Sequence, residues 1–433
     1  MLDMLRLRLD TLNFLASLAT RGDFTRFGPK NNVVLVSHPD LIREVLVTQA
    51  AKFIKGPALR STKSTLGEGL LTSEGDFHKR QRRIIQPAFH ATHVATYGQT
   101  MVQFTDRLSG AWQDGQTVDI HEAATRLTLE IVAKTLFDAE VEQDIAEIGR
   151  AMTASVELFP ILLLPFGNWL ARLPLPPVRR FHHTWPKMTQ TIERFIAERT
   201  ASGATGNDLL SVLIRATDPE ESAGDGGGYR MSPQQLRDEA ITLFTAGHET
   251  TANGLTYAFH LIAHYPEVQQ KLHAELDAAL AGRKPEAKDL DALPYTRAIV
   301  SEAMRAYPPV WTVGREANDD VQLGEHTLKK GAIVLTSQWV AHHDARWWPR
   351  PNEFDPDRWL TPDPDRPRYA YFPFAGGPRS CIGEAFAWME MILVLATIAQ
   401  RWSFEPQSPR ELRLAPSITL RPKDAVRVRV TPR

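Results

Sequence analysis

From Ser232 onward the apolar positions recur with a helical period for about 33 residues, to His264 just before Tyr265-Pro266, which predicts one helix about 50 Å long. Its start is marked by Ser232 at the cap, Pro233 at the first helical position and Gln235 at the third, a capping box. A second helical run, Glu384 to Ala396, is apolar nearly all the way round and therefore predicts a buried helix. Pro266 opens a further helix ending near Gly282, with Val268, Leu272, Leu276 and Leu280 on one face. Pro294 opens another. Residues 99 to 150 read as helices, Pro39 to Val47 as a short one, and the N-terminus as an amphipathic helix continuing to Leu18. Strand-like runs are short: Val33 to Val36, Val321 to Leu323, Ala332 to Leu335 and Val426 to Val430, all assigned to one small sheet. Polar breaks at Lys55 to Asp76 and Thr217 to Gly228 read as surface loops. The expectation is a mainly α fold with small β-sheets at one side, a single domain over residues 1–433.

Composition adds limits. The chain of 433 residues is 43% hydrophobic with 10 Trp and 19 Phe, enough for a large core. A formal charge of −1 gives no global field for nucleic acid or an anionic membrane. The first ten residues are apolar but broken by Asp3, Arg6, Arg8 and Asp10, so neither a signal peptide nor a membrane anchor is read there, and a cytoplasmic location is expected. The lone cysteine excludes a disulfide scaffold and a multi-cysteine metal site.

That cysteine, Cys381, lies in Phe374-Ala375-Gly376-Gly377-Pro378-Arg379-Ser380-Cys381-Ile382-Gly383, directly before the buried helix. Free N–H groups and the positive helix end are expected to favour thiolate there. The glycines let backbone approach a flat ligand, and Arg379 is placed to meet an anion. A buried structural cysteine is the competing reading. The stretch matches FxxGxRxCxG, with Phe374, Gly377, Arg379, Cys381 and Gly383 in place, and so resembles the haem-binding signature of the cytochromes P450. The resemblance implies a helical prism with the haem between the long helix and the cysteine-loop helix. It makes Cys381 the axial iron ligand and haem b (iron protoporphyrin IX) the cofactor, with O2 as co-substrate.

Three further stretches join it. Ala246-Gly247-His248-Glu249-Thr250-Thr251 interrupts the long helix with an interior glycine, worth about 1 kcal/mol against alanine, and resembles the family's [AG]Gx[DE]T[TS]. There Gly247, with Ala246, would open space for dioxygen, Thr250 would hydrogen-bond oxygen or a water, and Glu249 would relay protons. The bland alternative is threonine hydroxyls bonding back to the preceding turn. Glu302 and Arg305, with Arg358 of Pro351-Asn352-Glu353-Phe354-Asp355-Pro356-Asp357-Arg358-Trp359, resemble a structural Glu–Arg–Arg triad. Arg82 and Arg315 match positions that contact haem propionates, and His78 stands where the family often has Trp. Lys79, Arg80 and Arg83 are read either as a solvated face or as a basic surface for an acidic electron donor.

The resemblance implies a monooxygenase supplied from NAD(P)H through ferredoxin or flavodoxin plus a reductase, with no fused reductase. The apolar stretch from Leu158 to Pro177 reads as core or, by resemblance, as a lid. The implied substrate is apolar, with a fatty acid placed ahead of terpenoids and steroids. Gly67 to Ser73 and the Ala246 to Thr251 motif look most like the branch with fatty-acid hydroxylases. Arg60 or Lys63 is the candidate carboxylate anchor, against solvated loop charges. Leu243, Phe244, Trp311, Val313, Ser417 and Ile418 are taken as lining residues from their family positions. A peroxide-using or isomerising haem-thiolate enzyme and a non-catalytic haem sensor are the competing classes.

Overall fold

A computed structural model describes residues 6–7, 9–138, 145–164, 166–206, 208–216 and 230–433. The strongest helical pattern becomes the helix Pro233–His264. Its capping box closes as predicted: the Gln235 N–H donates to Ser232 Oγ (3.2 Å) and the Ser232 N–H to Gln235 Oε1 (2.8 Å). This long helix lies along Ile120–Phe137 on one side and Glu384–Ala399 on another. Glycines set both approaches. A Cβ on Gly247 would stand 3.1 Å from Val132 Cγ2, and one on Gly254 only 2.8 Å from Met391 Sδ. The helix is buried on nearly every face even though it carries polar residues such as Asp238, Glu239, His248 and Asn253.

The strand-like runs form, but not in one sheet. Phe24–Phe27, Val33–Val36, Ile333–Thr336, Val313–Ala317 and Phe53–Lys55 make a five-stranded sheet in that order. Val33–Val36 and Ile333–Thr336 run parallel, and the other neighbours antiparallel. The C-terminal strand Arg427–Pro432 instead pairs with Trp402–Pro406 and Thr117–Asp119. Among the described residues, Val321–Leu323 pairs only with His326–Leu328. Runs this short carry alternation, which sets a face, but not partner identity.

The apolar stretch after Leu158 is only partly core. Ile145–Leu162 is helical, but Phe166 and Trp169 beyond it are 83% and 58% exposed. The Asp225 to Gly228 loop and the first five residues lie outside the described residues. No described helix is long and apolar enough to cross a membrane.

The frame behind the cysteine segment rests on a buried ion cluster. Glu302 and Arg305, on the helix Pro294–Ala306, are fully buried. The Arg305 guanidinium donates to both Glu302 oxygens (2.9 and 2.8 Å) and to the carbonyls of His342, Pro351 and Glu353. Arg358 Nε (3.1 Å) and Trp359 Nε1 (2.8 Å) also donate to Glu302. Burial alone would push the Glu302 carboxyl up, but Arg305 and Arg358 hold it below its usual range. Replacing Glu302 by Leu leaves a buried guanidinium without its counter-charge, and is expected to cost about 3–5 kcal/mol in urea melts followed by circular dichroism. A loss below about 1 kcal/mol, the value of an exposed pair, would remove this cluster as the lock of the frame.

Candidate functional site

The backbone around Cys381 is built from close approaches. Gly377 has φ +68°, and an added Cβ would stand 2.1 Å from the Leu46 carbonyl oxygen, so only glycine fits. The Cys381 N–H donates to the Phe374 carbonyl at 3.0 Å, and the Phe374 ring packs against Trp388. The following helix begins at Glu384 with Gly383 as its cap, so Cys381 stands just outside the helix end that was expected to bear on it.

Cys381 is open to a cleft of about 400 Å³ lined by Arg82, Gln86, Phe89, Arg297, Glu384 and Trp388. The surrounding protein nevertheless desolvates the thiol and pushes its pKa up to about 11, with the Gly383 N–H and Arg82 opposing. This corrects the expectation of a thiolate stabilised by the helix end: desolvation wins in the protein alone. Proximity to open space and desolvation describe different things, and for the charge state the second decides.

Arg82 reaches this segment, donating to the Ser380 carbonyl (2.8 Å) and hydroxyl (3.3 Å). Arg379 turns the other way, to the Ser73 carbonyl (2.9 Å) and to an ion pair with Glu74. Around that pair the fold gathers further cations. Arg315, only 8% exposed, makes one side-chain hydrogen bond among the described residues, to the carbonyl of its neighbour Gly314. Burial, then the charge of Arg379, lower its pKa to about 10. Lys55, opposite Arg315 in the sheet, donates through Nζ to the Leu70 (2.9 Å) and Ser73 (2.7 Å) carbonyls. Its pKa is pushed down to about 7 by burial and then by Arg379. His78, buried, is lowered to about 3 by burial and the charges of Arg379, Lys55, Arg82 and Arg315.

On the long helix, Ala246 is exposed and Glu249 and Thr250 are half-exposed, within a helix that is otherwise buried on both flanks. Thr250 donates to the Ala246 carbonyl (2.9 Å) and Thr251 to that of Gly247 (3.2 Å), so both hydroxyls bond back one turn. Gly247 does not open space: its missing side chain is where Val132 packs, and the open face belongs to Ala246 and Thr250. Glu249 Oε1 accepts the Thr419 hydroxyl at 2.7 Å. His248 is buried, with Nδ1 3.3 Å from the Phe244 carbonyl and its own carbonyl accepting from Thr128.

The residues taken as lining divide. Phe244 is fully buried against Phe137 and Leu243 is buried beside it, so this pair packs core between helices. Trp311, Val313, Ser417 and Ile418 are half-buried; Trp311 Nε1 donates to the Ser417 carbonyl at 3.0 Å, and the Ser417 hydroxyl has no partner.

The comparisons agree on one family. The cytochrome P450 family model matches residues 20–428. Cyclooctatin synthase of Streptomyces melanosporofaciens is 39% identical over 419 residues, covering 94% of this chain and 89% of its own length. The cyclooctat-9-en-7-ol 5-monooxygenase of the same organism is 37% identical over 91% of this chain and 85% of its own. The pentalenene oxygenase of Streptomyces avermitilis is 33% identical over 98% and 93%. This chain belongs to the cytochrome P450 family.

Cytochromes P450 carry an iron haem and are monooxygenases that use O2 and electrons from a redox partner. The residues present in this P450 fit such a group. A buried guanidinium with one weak acceptor, beside a desolvated lysine and a second arginine, with Glu74 as the close counter-charge, calls for added anionic groups such as haem propionates. The open Cys381 sulfur supplies one soft ligand, and iron would deprotonate it, reversing the cost of desolvation.

Three participants were missed in the sequence. Lys55 ends an ordinary-looking strand, and Thr419 sits in a polar loop, with nothing local to mark either. Glu390, fully buried on the helix after Cys381, has no hydrogen-bond partner for either carboxyl oxygen among the described residues; burial pushes its pKa up, with the Thr251 hydroxyl opposing. An isolated acid in an apolar helix was the available signal for Glu390.

The Lys55 shift has a consequence for stability. Its folded pKa of about 7 lies below the usual 10.5, so between those values the unfolded chain binds the extra proton and stability rises with pH. In haem-free protein, urea stability relative to Lys55→Met is expected to increase from pH 7 to pH 9, and the increase to shrink on haem loading. Parallel pH profiles for the two haem-free proteins would show that Lys55 is not desolvated.

Proposed function

We propose that this P450 hydroxylates a neutral, apolar ring compound of the terpenoid kind, with haem b held by Cys381 and electrons from a ferredoxin or flavodoxin and its reductase. The observation that carries the substrate class is the state of the two candidate carboxylate anchors. Arg60 is ion-paired to the partly buried Glu316, and Lys63 meets Glu68 in an exposed pair, so a fatty-acid carboxylate binding at either would have to displace a protein carboxylate. The names of two relatives, 37% and 33% identical, point the same way, to a cyclic alkenol and to pentalenene, while one 30% identical is named a leukotriene-B4 omega-hydroxylase.

When bound, the haem supplies oxygen activation and transfer, so that substrate, O2, two electrons and two protons give alcohol and water. This chain's residues do the rest. Cys381, as thiolate, donates electron density to the iron. Arg315, Arg379, Lys55 and His78 form the polar seat at the edge of the site. Thr250 presents its hydroxyl oxygen on the open face while its proton rests on the Ala246 carbonyl. Glu249, steadied by Thr419, is the adjacent carboxylate that takes up a proton from water and hands it on toward Thr250. The cleft beside Cys381, with Arg82 and Arg297 in its lining, is the side offered to an acidic electron donor.

Replacing Thr250 by Ala is expected to leave haem content and substrate affinity unchanged while diverting about tenfold more of the reducing equivalents to peroxide, the effect of one lost proton contact. Full coupling in that variant would remove Thr250 from the proton path. Titration of the ferric protein, followed by the loss of iron-bound water in the haem spectrum, tests the substrate class. Neutral polycyclic alcohols are expected to give the shift and fatty acids not. A shift with fatty acids alone would restore the carboxylate reading and point to Arg60 and Lys63.

A further inference from the structure

The loop Gly67 to Glu74 joins the two elements that bound the site. At one end it lies directly on the long helix. The Glu68 N–H donates to Asp238 Oδ2 at 2.8 Å and the Leu70 N–H to Glu239 Oε2 at 2.9 Å. No side chain fits between loop and helix. A Cβ on Gly67 would stand 2.2 Å from the Asp238 carboxyl carbon, and one on Gly69 would stand 2.1 Å from Thr242 Oγ1. At the other end Ser73 and Glu74 bind Arg379, two residues before Cys381. Between the ends, Leu70 is held by both of its backbone groups, its N–H by Glu239 and its carbonyl by Lys55.

Glu239 is fully buried, and its second oxygen, Oε1, has no partner. Helix interiors do not need a carboxyl here, and an unpartnered buried oxygen is costly. Among the described residues, the one hydrogen bond the side chain makes is to the loop. Burial raises the Glu239 pKa to about 8, with the Leu70 N–H and Lys55 opposing, which fits a group acting as a neutral acceptor.

We propose that Glu239, seconded by Asp238, is a positioning residue that seats the Gly67 to Glu74 loop as a fixed wall of the substrate space, and so sets which substrate sizes are accepted. The size-selection half of this rests on the monooxygenase reading above; the seating of the loop does not.

The test uses the haem-loaded protein, with Glu239→Gln, which keeps an oxygen to accept the Leu70 N–H, and Glu239→Leu, which removes it. Two quantities are read: hydrogen exchange of a peptide spanning residues 67–74, and the ratio of dissociation constants for a monocyclic and a tricyclic terpene alcohol from the ferric spin-state shift. In Glu239→Leu, exchange of that peptide should speed by about tenfold and the ratio should move by a similar factor, as expected for one lost buried hydrogen bond. Peptides from the long helix and the Cys381 segment should keep their protection. Glu239→Gln should match the unaltered protein in both. Native exchange and ratio in Glu239→Leu would overturn the proposal, as would a Gln variant as perturbed as the Leu one. If Glu239→Leu does not fold, Gly69→Ala wedges the loop off the helix with both carboxyls intact. It should give the same two changes, and their absence would equally overturn the proposal. Failure of the monooxygenase reading would show instead as no product from the unaltered protein with any electron donor, leaving the exchange result standing.

Discussion

A single buried carboxylate, Glu302, holds the frame on which the cysteine segment is carried. It satisfies two guanidinium groups and an indole, and through Arg305 it reaches three backbone carbonyls between His342 and Glu353. That segment has little regular structure, so its carbonyls have no ladder to join. The guanidinium fork replaces the ladder. Desolvating these charges is costly, and the arrangement is stable because every Arg305 donor is used. The cost is recovered as definition: an irregular backbone is held in one conformation.

The site itself follows the opposite logic. Around Glu74 the fold gathers Lys55, Arg315 and Arg379, with His78 kept neutral beside them, and leaves the cationic charge incompletely answered by protein groups. Cys381 likewise sits in surroundings that disfavour the thiolate a metal requires. Both imbalances would be corrected by the same anionic, iron-bearing group. Stability and affinity are therefore exchanged here: what the unliganded fold loses in desolvation returns as binding free energy.

The sequence carried some levels of this structure and not others. The long helix and its cap were legible because period, proline and capping residues all agreed over many turns. The Cys381 segment was legible because its residue types are rare in combination. The strands were found but wrongly joined, since Val426 to Val430 and Val33 to Val36 look alike and only tertiary contacts separate their sheets. Gly247 was read as space for a ligand, whereas a glycine in a helix reports only that something comes close, here Val132. Phe244 was placed at the cavity by analogy and lies in the core. Lys55 and Thr419 were invisible, because the features that make them matter are supplied by residues far away in the chain.

That distance has its own consequence for biosynthesis. The groups that clasp the cysteine segment are the Leu46 carbonyl over Gly377, Arg82 on Ser380, and Ser73 with Glu74 on Arg379. All come from the first hundred residues, and their partners from the last hundred. During translation the early cations must wait, undocked and hydrated, until nearly the whole polypeptide has left the ribosome. Long loop closures of this kind are slow. Cofactor capture is thus a late event in the life of the nascent chain, and a polypeptide truncated before Cys381 keeps an orphaned half of the seat.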